Sequence, residues 1–397
     1  MYTPTLGRAV PAEVQRDSPQ DRGGRGLQVF QSSHPCHSGP WRMSLPGTAP
    51  CTLQARAAWT ASPLCGPGQL RVVTYNILAD LYADSDYSRT VLFAQCPPYA
   101  LSIDYRVKLV LQELMGYHAD LVCLQEVDQK VFDLHLSPIL ATVGLEGYFV
   151  KKGGQVSEGL AIFWRSCRLS LLEQSSVFLP EVLQGGSYGY IWDRVKDNPA
   201  LVETLTQRTT TLAIAVLKVE DSRDILVVGD THLYFKPDVD HIRLLQVELC
   251  REELERVRTR LEQEHPDCRV SIVLCGDFNS TPQYGGHMGG VLQYLTEGSI
   301  SSSHPDWSSR PGEEVTGLSL TSPTIFLSAA GTPAFTNYTR EFKDCLDYIF
   351  IEQGRLEVVQ VVPFPTVEEL SLHEAIPSIV FPSDHVAVIV DLQLTDY

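Results

Sequence analysis

The chain is 397 residues long, 44% apolar and 20% charged, which is enough to bury a large core. No stretch approaches the ~18 consecutive apolar residues of a membrane-spanning helix, which excludes a helical membrane protein. A net charge of −17, from 31 basic against 48 acidic side chains, argues against wrapping long DNA or RNA, because that takes a broad basic face.

The first 70 residues hold nine Pro and eight Gly, with six Arg, no Lys and three acids. No apolar period is sustained there, so residues 1–69 read as a disordered N-terminal segment. No apolar run suits a secretory signal. Six arginines lean toward a mitochondrial presequence, whereas Glu13, Asp17, Asp21 and the prolines lean against one. Residues 71–397 then carry −17 − 3 = −20, so any polyanion handled by this body needs a local offset, and a bound divalent cation is the obvious one. The ten Cys include no CxxC pair, and Cys123, Cys250 and Cys275 lie in apolar runs, which points to a reducing compartment.

A single globular body is expected over 70–397. Apolar, β-branched runs predict strands at Leu70 to Leu78, Asp120 to Val127, Leu160 to Trp164, Thr211 to Val219, Ile225 to Leu233, Ser271 to Phe278, Leu346 to Ile351, Leu356 to Val362 and His385 to Leu392. Their near-continuous hydrophobicity means cover on both faces. Helical spacing marks Ile103 to Tyr117 and Asp240 to Glu264; the latter puts Ile242, Leu245, Leu249, Leu254, Val257 and Leu261 on one side, with acids and Arg opposite. The fold class is α/β, with two sheets packed together and helices outside.

Polar residues sit where these strands end. Asn76 closes the first, Gln125-Glu126 the second, Thr231-His232 another and Asp277-Phe278-Asn279 another; Asp347 lies near the start of one, and Asp384-His385 opens the last. Strand ends of an α/β fold converge on one edge, where ligands bind. Charges so near buried strands cost several kcal/mol unless paired or metal-bound, so one shared site is expected. Glu126, Asn76, Asp277 and Asn279 offer hard oxygen ligands, which suit Mg²⁺ or Mn²⁺ better than zinc. Asp347 and His385 read as a carboxylate that fixes an imidazole tautomer. The reaction class implied is metal-assisted phosphodiester hydrolysis. Taken singly, each has a plainer reading: Asp277-Phe278-Asn279-Ser280 a turn and cap, Glu126 a helix start, His232 a strand-end histidine, Asp384-His385 an ordinary turn.

Six blocks in order carry a resemblance: Thr74-Tyr75-Asn76-Ile77-Leu78, Cys123-Leu124-Gln125-Glu126-Val127, Thr231-His232-Leu233, Gly276-Asp277-Phe278-Asn279-Ser280, Leu346-Asp347-Tyr348 and Ser383-Asp384-His385. Over about residues 70–397 the chain resembles the endonuclease/exonuclease/phosphatase superfamily. Tyr75 to Phe93, Asp104 to Arg106, Leu145 to Phe149, Glu158 to Arg165 and Thr336 to Phe350 are similar to its deadenylase branch, in particular to mitochondrial 2′,5′-phosphodiesterases that degrade oligoadenylates and trim poly(A). Residues 1–70 do not resemble the longer N-terminal region of those enzymes. The resemblance implies a four-layer α/β sandwich of two mixed sheets flanked by helices. It implies Glu126 as principal Mg²⁺ ligand with Asn76 close by, Asp277 acting on the attacking water, and Asn279 positioning the phosphate. His232 and His385 would donate to phosphate oxygens, Asp347 would hold His385, and Asp384 would serve a second metal. Phe342 would stack on adenine or be a core residue near a strand start; Asn337 would read an adenine edge or be a turn residue. The substrate implied is oligoadenylate or poly(A) RNA, and the location the mitochondrial matrix, with the cytoplasm as the alternative; no membrane contact and no obligate protein partner is evident. The alternatives are an abasic-site DNA endonuclease, which wants Arg and Lys for a duplex, phospholipid or inositol-phosphate hydrolysis, and a non-catalytic binding relative, which would have lost one of these groups.

Overall fold

The structure is a computed structural model that describes residues 52–64 and 66–395. The strands expected above fall into two six-stranded mixed sheets. The first contains β1 (Gln69–Asn76), β2 (Leu121–Asp128), β3 (Leu145–Lys151) and β4 (Glu158–Arg165). The second contains β5 (Leu169–Phe178), β6 (Thr211–Val219), β7 (Asp224–His232) and β8 (Arg269–Asp277), joined by β9 (Phe326–Ser328) and β10 (Asp347–Glu352). The chain then returns to the first sheet with β11 (Leu356–Val361) and β12 (Val388–Leu394). The strand orders are β11-β12-β1-β2-β4-β3 and β9-β10-β8-β7-β6-β5. Four helices matter below: α1 (Thr52–Thr60), α2 (Ile103–Gly116), α3 (Asp240–Glu264) and α4 (Gly290–Glu297).

Three apolar layers hold this together. Leu70, Val72, Cys123 and Ile162 of the first sheet meet Ala213, Leu226, Val273 and Ile349 of the second between the sheets. Val107, Val110 and Leu114 of α2 cover the outer face of the first sheet, against Val73 and Val122. Ile242, Leu245, Leu249 and Leu254 of α3 cover the outer face of the second, against Ile225, Val227 and Ile272. Strands covered on both faces have no polar side to show, hence their unbroken apolar runs.

Of the strands in the two sheets, β3, β5 and β9 are absent from the sequence reading, and all three are edge strands. β3 and β5 bury only alternate or occasional residues, so their polar positions break the apolar run. Helix α3 differs too: Arg243, Glu248, Arg251 and Glu253 are buried although they lie off the apolar stripe. The segment Tyr188–Tyr190 and Tyr294 pack over them, with Tyr188 Oη donating to Glu253 and Tyr190 Oη to Glu248. The packed body also starts before Leu70, because buried Arg56 of α1 donates to the Ala387 carbonyl at 2.8 Å. The rest of the N-terminal segment, residues 1–51, lies outside the described residues.

Each sheet has a parallel pair at its centre, β1 with β2 and β7 with β8. Their antiparallel neighbours β12 and β10 begin where those strands end. Carboxyl ends of parallel strands and amino ends of antiparallel ones therefore share one edge. In register, His232, Asp277 and Asp347 stand side by side on β7, β8 and β10. Opposite that edge, Arg71 of β1 is buried and clamps Asp391 of β12 through Nε at 2.6 Å and Nη2 at 2.9 Å. Leaving one half of a buried pair uncompensated costs about 3–5 kcal/mol. Asp391→Asn is expected to lower the unfolding free energy by about that much in urea titration; a change below ~1 kcal/mol would contradict the role given to this pair.

Candidate active site

Glu126 reaches the site through a defect in its strand. The β2–β4 register slips between Leu124 and Val127, and Glu126 sits at φ +56°. A bulge adds one residue and re-aims the side chains around it. Gln125 then points between the sheets, where its amide binds Asp230 Oδ1 at 2.7 Å and Thr74 Oγ1 at 3.0 Å. Glu126 instead turns to the edge, accepting Asn76 Nδ2 at 3.0 Å and the Ala79 N–H at 2.9 Å.

Asp277 is the hub. Its Oδ2 accepts the same Asn76 amide at 3.0 Å and lies 3.6 Å from His232 Nε2 and 3.7 Å from His385 Nε2. Its Oδ1 accepts the Asn279 N–H at 2.9 Å, and Asn279 is itself held at φ +48° by donating to the Leu233 carbonyl. Non-glycine residues in this left-handed region are uncommon and cluster at functional sites. Gly276 makes the approach feasible: a Cβ there would stand 2.1 Å from the Thr231 carbonyl oxygen of the adjacent strand.

The two imidazoles are held differently. His385 Nδ1 lies 2.7 Å from Asp347 Oδ2. Burial opposes its protonation, but Asp347, Asp277 and Asp384 outweigh that and push its pKa well above the ordinary imidazole value. His232 Nδ1 lies 3.1 Å from Lys152 Nζ, which also pairs with Glu158 at 2.8 Å. An ammonium only donates, so Nδ1 accepts and the His232 proton is assigned to Nε2, facing Asp277. Burial, then Lys152 and His385, push the His232 pKa well below normal. One ring is thus cationic and the other neutral, a division that separates roles.

Acids are concentrated here. Burial, then the charges of Glu158 and Asp384, raise Glu126 to about 7 against the opposition of Lys152 and the Ala79 N–H. Burial, then Asp347, raise Asp277 to about 6. Asp347 Oδ1 is buried with no hydrogen-bond partner. Asp277, Asp347 and His385 together place one ligand atom each within 4.8 Å of one another. His385 as imidazolium has no lone pair for a metal, but Glu126 and Asp277, joined through the Asn76 amide, with the unpartnered Asp347 Oδ1 nearby, make a carboxylate-rich set that fits a hard divalent cation.

Two residues remain. Phe342 is 42% exposed at the tip of a hairpin formed by Asn337–Tyr338 and Lys343–Asp344, so it is not a core residue. Asn337, at the hairpin base, pairs with His385 across an isolated bridge and gives its amide to Asp384 Oδ2 at 3.3 Å. One amide N–H of Asn337 thus holds Asp384. Sequence reasoning missed Lys152, six residues before the Glu158 to Arg165 block, and gave Glu158 within that block no role in the site. It also gave no role to Arg106, which is buried and donates to the carbonyls of Ile77, Leu78 and Pro382, tying the turn after Asn76 to the one before Asp384.

Residues 73–385 match the Endonuclease/Exonuclease/phosphatase family. The chain therefore belongs to that family. It is 42% identical over 350 residues to rat 2′,5′-phosphodiesterase 12, covering 88% of this chain and 55% of that protein. Human 2′,5′-phosphodiesterase 12 matches at 41% with the same coverage. The CCR4-Not complex 3′-5′-exoribonuclease subunit Ccr4 of Schizosaccharomyces pombe matches at 27% over 81% of this chain and 49% of that protein. The chain spans about half the length of the curated relatives it matches. Among solved structures, ANGEL2, a 2′,3′-cyclic phosphatase, superposes with a TM-score of 0.66 at 22% identity, covering 82% of this chain and 96% of that one, a likeness of fold.

The Glu126 shift has a sign that can be measured. Its folded carboxyl titrates near 7 against an ordinary value of 4.5. It therefore contributes stability that is present below 4.5 and is lost as pH rises through 7. In EDTA, the wild-type urea midpoint is expected to fall further between pH 5 and 7.5 than that of Glu126→Gln. Equal falls would contradict the assignment.

Proposed function

We propose that the chain is a Mg²⁺-dependent 3′-exoribonuclease and phosphodiesterase that hydrolyses 2′,5′-linked oligoadenylates and 3′,5′-linked poly(A), releasing 5′-AMP. The observation that carries this reading is the convergence of Asn76 Nδ2 and both imidazole Nε2 atoms on Asp277 Oδ2, beside Glu126. In it, 70–397 is the catalytic body, with α1 packed against it through Arg56.

Asp277, with a pKa raised to about 6, orients the attacking water and takes its proton near neutral pH. Asn76 and the Asn279 N–H hold that carboxylate in place, and Asn279 stands next to the scissile phosphate. His385 as imidazolium and His232 through Nε2–H give hydrogen bonds to non-bridging oxygens whose charge grows in the transition state. Asp347 fixes one ring and Lys152 the other. Glu126, with Asn76, Asp277 and Asp384, is the set that would hold Mg²⁺ or Mn²⁺, which neutralises phosphate charge and acidifies water when bound. Phe342 offers an exposed ring for stacking on adenine, worth about 1–3 kcal/mol per base. The negative charge of the chain suits a short substrate held by a cation and stacking better than a duplex held by lysines. Similarity to proteins named for 2′,5′-phosphodiesterase and 3′-5′-exoribonuclease activity supports both linkages.

Product analysis with Mg²⁺ on a 2′,5′-adenylate trimer, 3′,5′-oligo(A), oligo(C) and an abasic duplex tests the reading. AMP from the adenylates is expected, lost in Glu126→Ala and in EDTA; cleavage of only the abasic duplex would move the chain to DNA repair. Phe342→Ala is expected to weaken oligo(A) binding by about 5- to 150-fold, with a smaller effect on turnover, and to narrow the preference for oligo(A) over oligo(C) by less than that. Unchanged selectivity would remove Phe342 from the base site.

A further inference from the structure

A second group of metal-ligating side chains lies one hairpin beyond Asp277. After Ser280 the chain forms a short hairpin, Gln283–Tyr284 against His287–Met288, turned by Gly285 and Gly286 at φ +57° and +86°. It then enters α4 at Gly290, and further on makes a tight turn at Pro305–Ser308, which His304 caps. These pieces meet at a point. His287 Nε2 lies 2.9 Å from Asp306 Oδ1, and His304 Nδ1 lies 3.8 Å from the same oxygen. One ligand atom from each of the three residues falls within 4.8 Å of the others.

We propose that His287, His304 and Asp306 form a binding site for one zinc-class divalent cation, separate from the hydrolytic centre.

The chemistry of the donors selects the ion. Two imidazoles and one carboxylate suit Zn²⁺, whereas Mg²⁺ takes oxygen ligands. Tetrahedral zinc with bonds of about 2.0–2.1 Å places its ligand atoms roughly 3.3 Å apart. The observed 2.9 and 3.8 Å bracket that spacing, and the His304 Nδ1 lone pair, which accepts the Asp306 N–H at 3.2 Å, turns from that cap to the ion when the site closes. The carboxylate is aimed from behind: Asp306 is buried, and its Oδ2 accepts the Gly290 N–H at 2.6 Å. Such outer partners orient metal ligands and are part of built sites. The His287 side chain is 28% exposed, which leaves an access path and room for a water as fourth ligand. A cap needs His304 alone and an ion pair needs His287 alone; neither requires both rings to converge on one carboxylate oxygen. A cation there would fasten the hairpin that follows the Asp277–Ser280 block to the turn at Pro305. The inference rests on this geometry and does not depend on the substrate proposed above.

The test uses the full chain, stripped of metal and returned to millimolar Mg²⁺ so that hard-ligand sites are filled. Co²⁺ is titrated while visible absorption is read, followed by displacement with Zn²⁺, with bound metal counted by mass spectrometry. One Co²⁺ per chain with the intense bands of four-coordinate cobalt is expected, displaced by one Zn²⁺. Glu126→Gln keeps the bands, whereas His287→Gln and His304→Gln weaken binding by roughly 100-fold or more. Both histidine variants are checked by circular dichroism, and the wild type is also read by its thermal shift on adding Zn²⁺, which needs no variant. The proposal is overturned if the wild type shows neither bands nor thermal shift, if the bands survive in His287→Gln, or if Glu126→Gln removes them.

Discussion

The structure depends on burying several carboxylates at one sheet edge. Glu126, Glu158, Asp277, Asp347 and Asp384 all act on this edge, and their mutual repulsion and desolvation raise Glu126 and Asp277 toward neutral pH. That arrangement is costly unless positive charge offsets it. Lys152 pairs with Glu158, His385 pairs with Asp347, and the cation proposed on Glu126 would supply the remainder. The surrounding fold serves to keep these groups together. The two central parallel pairs bring the strand ends to one edge, and the interleaved apolar layer between the sheets fixes their spacing.

Local distortions convert that edge into a site. The bulge at Gln125–Glu126 sends one side chain between the sheets and the next to the surface, and Asn279 takes up a left-handed backbone that donates its N–H to Asp277. Gly276 permits strands β7 and β8 to approach closely just where His232 and Asp277 leave them. Arg106 then ties together the two turns that carry Asn76 and Asp384, using carbonyls as partners where no acid is needed. The opposed environments of His232 and His385 follow from their neighbours, an ammonium for one and carboxylates for the other.

Much of this was legible in the sequence because burial on both faces leaves unbroken apolar runs whose polar ends stand out. Asn76, Glu126, His232, Asp277, Asn279, Asp347 and His385 were all named on that ground, and the structure joins them in one network. Edge strands β3 and β5 were not legible, since one exposed side mixes polar residues into the pattern. Lys152 was invisible for a related reason: it lies just past the end of β3, in a polar stretch that reads as surface. Asn337 shows a different limit, since its type allowed base reading and only the fold shows its amide given to Asp384. The cluster of His287, His304 and Asp306 is spread over a hairpin and a turn with irregular spacing, so no motif announces it.

The most direct test of the central claim is a crystal structure with Mn²⁺ and AMP, with the ion located by its anomalous scattering. The account predicts Mn²⁺ on Glu126, the phosphate within hydrogen-bond reach of His232, His385 and Asn279, and the adenine against Phe342. Mn²⁺ without Glu126 as a ligand, or a phosphate bound away from Asp277 and both histidines, would contradict it.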